Sequence, residues 1–150
     1  MAHCFGCGRE NAHGHQLKSY VEGEEVVARF RPAGEQISLP GFVYGGLIAS
    51  LVDCHSMATA AAAFERERGS DPDGAVPRFV TAALTVEYLR PTPAGVELEL
   101  RARAVEVGER KVVVEAVVTA GGEPTVRGRT VAVRMPASMA GRAPGATGAP

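Results

Sequence analysis

Asp53 is the only carboxylate in the run 47–64, which contains no Gly or Pro and is dense in Ala, Leu and Met. Such a run is a helix former. Stepping 100° per residue from Leu47 places Leu47, Ile48, Leu51, Ala58 and Ala62 in one apolar stripe about 100° wide, the face expected to lie on a sheet. Asp53 falls nearly opposite, with Ala49, Ser50, Ser56, Met57 and Ala60 around it. These neighbours are mostly small, so a ligand or another backbone could approach the carboxylate. Asp53 is then either a solvated surface charge or a placed general base or nucleophile. Gly45 and Gly46 stand where the helix begins, and there the first backbone N–H groups have no partner within the helix. With the partial positive charge of the helix start, those donors suit a carbonyl oxygen that becomes negative in a tetrahedral transition state. Paired glycines also simply permit a tight turn. Gly45 and Asp53 are eight residues apart, about 12 Å along a helix, so one carbonyl cannot touch both within a chain. An enzyme built on them needs a two-fold dimer with antiparallel helices, Gly45 of one subunit beside Asp53 of the other.

Other reactive residues have two readings each. Ser56, one turn beyond Asp53, could hold a water or the carboxylate, or be an ordinary small helix residue. His55 lies on the sheet-facing stripe, as a satisfied core histidine or as a group orienting substrate entry. Cys54 points about 100° from Asp53 and reads as a small core residue. Cys4-x-x-Cys7 followed by His13 and His15 offers four zinc donors. Only five residues separate Cys7 from His13, however, and a zinc pattern wants a long gap before its histidines, so no metal is expected. Redox use of this pair lacks the strand-helix-strand context it would need. Arg101, Arg103, Arg127 and Arg129 occupy alternating strand positions, as a solvated face or as contacts for phosphates.

The elements that must position these groups follow from pattern. Residues 18–21 and 26–30 are short β-prone pieces parted by Glu22-Gly23-Glu24-Glu25, a hairpin turn. Pro32, Gly34, Pro40 and Gly41 punctuate an irregular connection to the helix. The turn formers of 68–74 end it in an exposed loop. Residues 79–89, 96–104, 112–119 and 126–135 read as strands, and 96–104 alternates apolar with charged residues at period two. Their short connections imply antiparallel neighbours. The segment 137–150 is Ala-, Gly- and Pro-rich and is expected to be a disordered tail, leaving 1–136 as one domain. The fold class is therefore α+β, one helix covering one face of an antiparallel sheet.

Composition narrows the functions. A chain of 150 residues with 45% hydrophobic and 22% charged residues can build one real core. A net charge of −1 argues against a nucleic-acid binder. Three cysteines do not make a secreted disulfide scaffold, and the first residues lack a signal-peptide pattern, so a cytoplasmic location is expected. The longest apolar stretch is broken at Asp53 and His55, so no membrane association is expected.

Three segments carry a resemblance. Tyr44-Gly45-Gly46, six residues, then Asp53 resembles the His-Gly-Gly-x6-Asp helix entry of PaaI-like hotdog thioesterases. Cys4-Phe5-Gly6-Cys7-Gly8 with Asn11 and Gly14 is similar to an amino-terminal signature of one branch of that superfamily, with Ala12 and His15 where the signature has Pro and Leu. Leu84-Thr85-Val86-Glu87-Tyr88-Leu89-Arg90-Pro91 is similar to the first strand after the helix. The resemblance implies a hotdog fold, a twisted antiparallel sheet wrapped round one long helix, and hydrolysis of an acyl-CoA. It implies Asp53 as nucleophile or general base and a Gly45 or Gly46 amide of the neighbouring subunit as oxyanion donor. Tyr44, which stands where the family has His, is expected to bind substrate together with Ser56 and His55. It further implies a homodimer with shared sites, a dimer of dimers as its larger assembly, and no cofactor beyond the CoA of the substrate. The alternative is a weak or inactive acyl-thioester-binding protein in which Tyr44 marks lost chemistry.

Overall fold

Glycines with positive φ close two tight hairpins, one at an edge of a six-stranded sheet and one within it. In the computed structural model, which describes residues 2–69 and 76–139, strands β1 (Ser19–Glu22) and β2 (Glu25–Phe30) meet at Gly23, whose φ is 64°. Gly121 and Gly122, at φ 61° and 84°, join β7 (Lys111–Ala120) to β8 (Glu123–Arg134). Positive φ at the first central position, as at Gly23, or at both, as at Gly121 and Gly122, gives a two-residue hairpin the native strand twist. A second, two-stranded sheet, β3 (Ile37–Leu39) with β4 (Phe42–Val43), lies in the segment expected to be irregular. Its strands are too short to show a pattern. A single helix follows, α1 (Gly45–Arg68), then β5 (Phe79–Tyr88) and β6 (Leu98–Val107).

The large sheet runs β1-β2-β6-β7-β8-β5, every pair antiparallel. The sequence reading made β5 and β6 neighbours because their connection is short, and the structure corrects this. β5 pairs with β8 at one edge while β6 sits centrally. Pro91 and Pro93 cannot donate to a ladder and hold the connection extended. Around them Thr92 accepts the Val43 N–H at 2.9 Å and Gly41 accepts the Ala94 N–H at 2.8 Å, so the β3–β4 hairpin guides the crossing.

One face of the sheet holds α1. Leu98, Leu100, Ala102, Val112, Val114 and Val118 are among the strand residues of the core, packed with Leu47, Ile48, Leu51 and Val52 of the helix. A Cβ at Gly128 would overlap Val52, so β8 approaches the helix closely only because residue 128 has no side chain. With 24 residues α1 is long enough to span a bilayer, yet its apolar side is spent on the sheet. The buried arc runs through Leu47, Ile48, Leu51, Val52, His55, Ser56, Thr59, Ala60 and Ala63. It is broader than the stripe drawn from sequence and rotated away from Ala58 and Ala62, which are only half-buried. Alanine fits either side of such a boundary, and Val52, Thr59 and Ala63 mark the true one. Residues 137–139, assigned to the tail, form a 3₁₀ turn (Ala137–Met139). The remainder of that tail, 140–150, and the loop at 70–74 lie outside the described residues.

Candidate active site

The helix start is an open donor site. Tyr44 is the N-cap, with extended backbone (φ −62°, ψ 123°) and no side-chain cap, and the first turn contains no acidic residue. Its carbonyl accepts from Leu47 N–H at 3.1 Å and from Ile48 N–H at 3.3 Å. The Gly45 and Gly46 N–H groups lie ahead of any intrahelical acceptor, and among the described residues neither has another partner. The positive end of the helix is thus uncompensated by side chains. Two tyrosines flank it. The Tyr88 hydroxyl donates to Gly45 O at 2.7 Å. A Cβ on Gly45 would stand 3.2 Å from the Tyr88 hydroxyl, and one on Gly46 would stand 2.5 Å from the Tyr44 ring. Glycine at 46 lets the Tyr44 ring pack on this turn, and a side chain at 45 would crowd Tyr88. Burial, with a smaller contribution from Tyr44, raises the Tyr88 pKa, so its hydroxyl remains a donor. Gly45 and Tyr88 line a hollow of about 490 Å³ against β3 and β4.

Asp53 lies in a different place. On the exposed side of α1 a cleft of about 730 Å³ runs between the helix, the start of β5 and the amino-terminal loop, and Ser50, Asp53, Met57 and Thr81 line it. The Thr81 hydroxyl donates to Asp53 Oδ1. Thr81 stands at a register irregularity, between Thr81 and Ala83, in the β5–β8 ladder. Such bulges re-aim side chains near functional sites. Most of the cleft wall is apolar (Phe5, Met57, Phe79 and Val80 among others), so the carboxylate stands at the edge of a hollow that suits an apolar group. The separation of Asp53 from Gly45 along α1 remains the two helical turns read from sequence, and the two residues line different hollows.

Two expected substrate-binding residues are in the core instead. His55 is fully buried. Its Nε2–H donates to Val26 O at 3.0 Å, which leaves Nδ1 to accept the Ser19 hydroxyl at 2.8 Å. Burial lowers its pKa to about 4, the bond to Val26 opposing this only in part. Ser56 is also fully buried and accepts from Thr130 Oγ1 at 3.0 Å. Both occupy the buried arc: His55 lies about 160° from Asp53 on the helical wheel, whereas Ser56 is only about 60° from it and is turned to β8 by its bond to Thr130. Ser50, one turn before Asp53, and Thr81 are the hydroxyls that face the carboxylate's cleft. Ser50 was on the Asp53 face of the wheel, whereas Thr81 had no sequence signal, since only the β5 register brings it there.

Cys54, read as a small core residue, is half-buried and packs against the core, but part of it is exposed as well. Cys54 lines the cleft with Cys4 and Cys7, because the buried arc is rotated away from it. The Cys4 thiol feels burial, which raises its pKa, but backbone N–H groups of Cys7 and Gly6 outweigh that and hold it below the ordinary value. His13 and His15 take no part in this cluster: His15 stacks edge-on between Phe5 and Phe30, at centroid distances of 4.7 and 5.8 Å. Of the arginines considered for phosphates, Arg101 is held by Glu99 at 2.8 Å, Glu25 at 3.1 Å and Glu22 at 3.6 Å, and Arg103 faces Glu115 at 3.9 Å. None of the four lines the Asp53 cleft, whereas Arg78 does.

With this geometry in place, comparison with known proteins identifies the relatives. The family model of the thioesterase superfamily matches residues 40–127. A thioesterase superfamily protein from Shewanella loihica PV-4 is 48% identical, with a TM-score of 0.69 over 85% of this chain and 98% of that one. The PaaI protein of the E. coli phenylacetic acid degradation operon shares the fold at 17% identity, with a TM-score of 0.68 over 85% of this chain and 88% of that one. So does smu.793 from Streptococcus mutans UA159, solved bound to acetyl CoA, at 19% identity and a TM-score of 0.64 over 79% of this chain and 88% of that one. Among curated proteins none matches this sequence.

Proposed function

The chain belongs to the thioesterase superfamily, with the hotdog fold, and from that premise we propose that it hydrolyses an acyl-CoA thioester to the free acid and CoA. The observation that carries this reading is Asp53 projecting into an apolar-walled cleft with one carboxylate oxygen held by Thr81. The other oxygen is left to attack the thioester carbonyl, or to take a proton from a water that does so. The carbonyl oxygen turns negative as the tetrahedral intermediate forms, and the Gly45 or Gly46 N–H of a partner subunit stabilises it. The unpartnered donors and the absence of first-turn carboxylates support that role. Collapse of the intermediate expels a thiolate, a good leaving group that needs no strong general acid. Where Asp53 attacks, water then hydrolyses the acyl–Asp53 anhydride to the free acid, and where it acts as base, it passes the proton on to the thiolate or solvent.

The partner is a second copy of the chain. β5 is an edge strand of the large sheet with β8 as its neighbour, and an unpaired edge of ten residues is a template for pairing with another strand. A two-fold axis beside β5, with antiparallel helices, puts each cleft against the other subunit's helix start and makes two equivalent sites. The acyl chain lies along Met57, Phe79 and Val80, and the Arg78 guanidinium meets the CoA phosphates. No resident cofactor enters this scheme.

The Tyr44 ring, packed over Gly46 where the family has His, favours a second reading, retention of an acyl-CoA without turnover. Thiol release from short, long and aromatic acyl-CoAs by the wild-type protein separates the two. The proposal expects multiple turnovers on at least one substrate. Saturable binding with no thiol released on any of them would replace it with the binding protein.

A further inference from the structure

Cys4, Cys7 and Cys54 bring three thiols together from two segments of the chain. Their sulfurs all lie within 4.8 Å of one another, and Cys4 Sγ is 4.0 Å from Cys54 Sγ, across 50 residues of sequence. A disulfide requires about 2.05 Å between sulfurs, so these are three separate thiols. Tetrahedral zinc with Zn–S bonds of about 2.3 Å spaces its sulfurs about 3.8 Å apart, close to the spacing seen here.

The loop that carries two of them is built for this position. Gly8 N–H closes it on Cys4 O at 2.9 Å. A Cβ on Gly6 would come within 2.5 Å of Cys54 Sγ, so the loop can sit on the helix only with glycine there. Gly6 O in turn accepts the Leu17 N–H at 2.9 Å, which ties the loop to a buried residue. Lys18, with Nζ 3.4 Å from Cys7 O, supplies a positive charge beside the cluster.

We propose that Cys4, Cys7 and Cys54 form a zinc site, three thiolates from the amino-terminal loop and the central helix, with the fourth position left to a molecule in the cleft. On binding, the thiols release their protons to solvent and three Zn–S bonds form with no change of oxidation state. One extra negative charge remains on the centre, which Lys18 offsets. The metal pins the loop against the helix that carries Asp53, one residue from Cys54. Sequence spacing set a metal aside because it paired Cys4 and Cys7 with His13 and His15. The third donor is instead Cys54, which only the fold brings near.

The test uses full-length protein, reduced, metal-free and handled without oxygen, titrated with Co²⁺ and then with Zn²⁺. Far-ultraviolet circular dichroism monitors folding, and thiol titration counts free cysteines. The proposal expects three free thiols, one metal per chain and intense thiolate-to-cobalt charge-transfer absorption that Zn²⁺ abolishes. Cys54→Ser and, separately, Cys4→Ser on the surface loop are each expected to weaken Zn²⁺ by more than the about 10–100-fold that loss of an outer-shell partner costs. Three results would overturn it: no stoichiometric metal on folded, reduced protein; undiminished affinity in folded Cys54→Ser, which returns the site to the loop and its histidines; or a disulfide recovered in place of the thiols. Hydrolysis is not part of the readout, so the zinc site stands or falls separately from the thioesterase reading.

Discussion

Asp53→Asn is expected to cut kcat for thiol release from the best acyl-CoA by about 10²–10⁴-fold, the usual contribution of a positioned base. KM should change little. Asparagine has nearly the volume of aspartate, and its amide oxygen can still accept the Thr81 hydroxyl, so the cleft and the β5 register are retained. What disappears is the negative charge that attacks the carbonyl or deprotonates water. The measurement is steady-state release of free CoA by both proteins at matched concentration, with oligomer size and melting temperature recorded for each. A folded variant that keeps wild-type kcat would remove Asp53 from the mechanism.

The second large effect is on stability. His55 takes up a proton near pH 6.5 when unfolded, but only near pH 4 when folded, because burial disfavours the imidazolium. Between those values the unfolded chain holds more protons, so unfolding becomes easier as pH falls. The neutral-His contribution is complete above pH 6.5 and is lost progressively towards pH 4. At about 1.4 kcal/mol for each tenfold change in proton affinity, the loss across the window is roughly 3 kcal/mol. The half-buried His15 ring, its pKa also lowered by burial, acts in the same direction. Urea unfolding of wild type and His55→Gln at pH 7 and pH 4.5 isolates the first effect, because His15 is common to both. Wild type should lose about 1–3 M in midpoint beyond what the variant loses, given slopes of about 1–3 kcal/mol/M. Equal losses in the two proteins would show that His55 is not the group that titrates.

Much of this architecture is legible in the sequence because the signals are local. The alternation read at 96–104 is seen in β6, where Leu98, Leu100 and Ala102 are buried and Arg101 and Arg103 face outward. The glycines that close hairpins sit where positive φ demands them. The helix read at 47–64 extends to Gly45–Arg68, since arginines at Arg66 and Arg68 suit a helix end. What the sequence concealed depends on tertiary register. The crossing from β5 to β6 is set by a proline pair docking on the β3–β4 hairpin, and neither local partner signals the other.

The same distinction applies to the site. Asp53 and the glycine pair announce themselves by type and spacing, and their separation already asks for a second subunit. His55 and Ser56 are chemically attractive, but the exact rotation of the helix decides that they serve the core. An alanine-rich helix leaves that rotation underdetermined by pattern, because small side chains fit on either face. Thr81 and the third thiol of Cys54 became visible only once β5 and the amino-terminal loop were placed against α1.

The central claim is that one subunit supplies Asp53 and the other the helix-start amide. Mixing subunits tests it most directly. Asp53→Asn chains are combined with Gly46→Pro chains, which lack one N–H donor, and the mixed dimer is isolated through distinct affinity tags. Each parent homodimer should be nearly inactive, losing a donor being expected to cost about 2.7–4 kcal/mol. Folding and dimerisation of the Gly46→Pro parent are checked by circular dichroism and gel filtration. Proline suits the backbone of a first helical turn, but its ring meets the exposed Tyr44 ring, which has to swing aside. In the mixed dimer one site joins an intact Asp53 to an intact Gly46, so about half of the wild-type activity per dimer should return. A mixed dimer as inactive as its parents would contradict the shared site and place the whole chemistry within one chain.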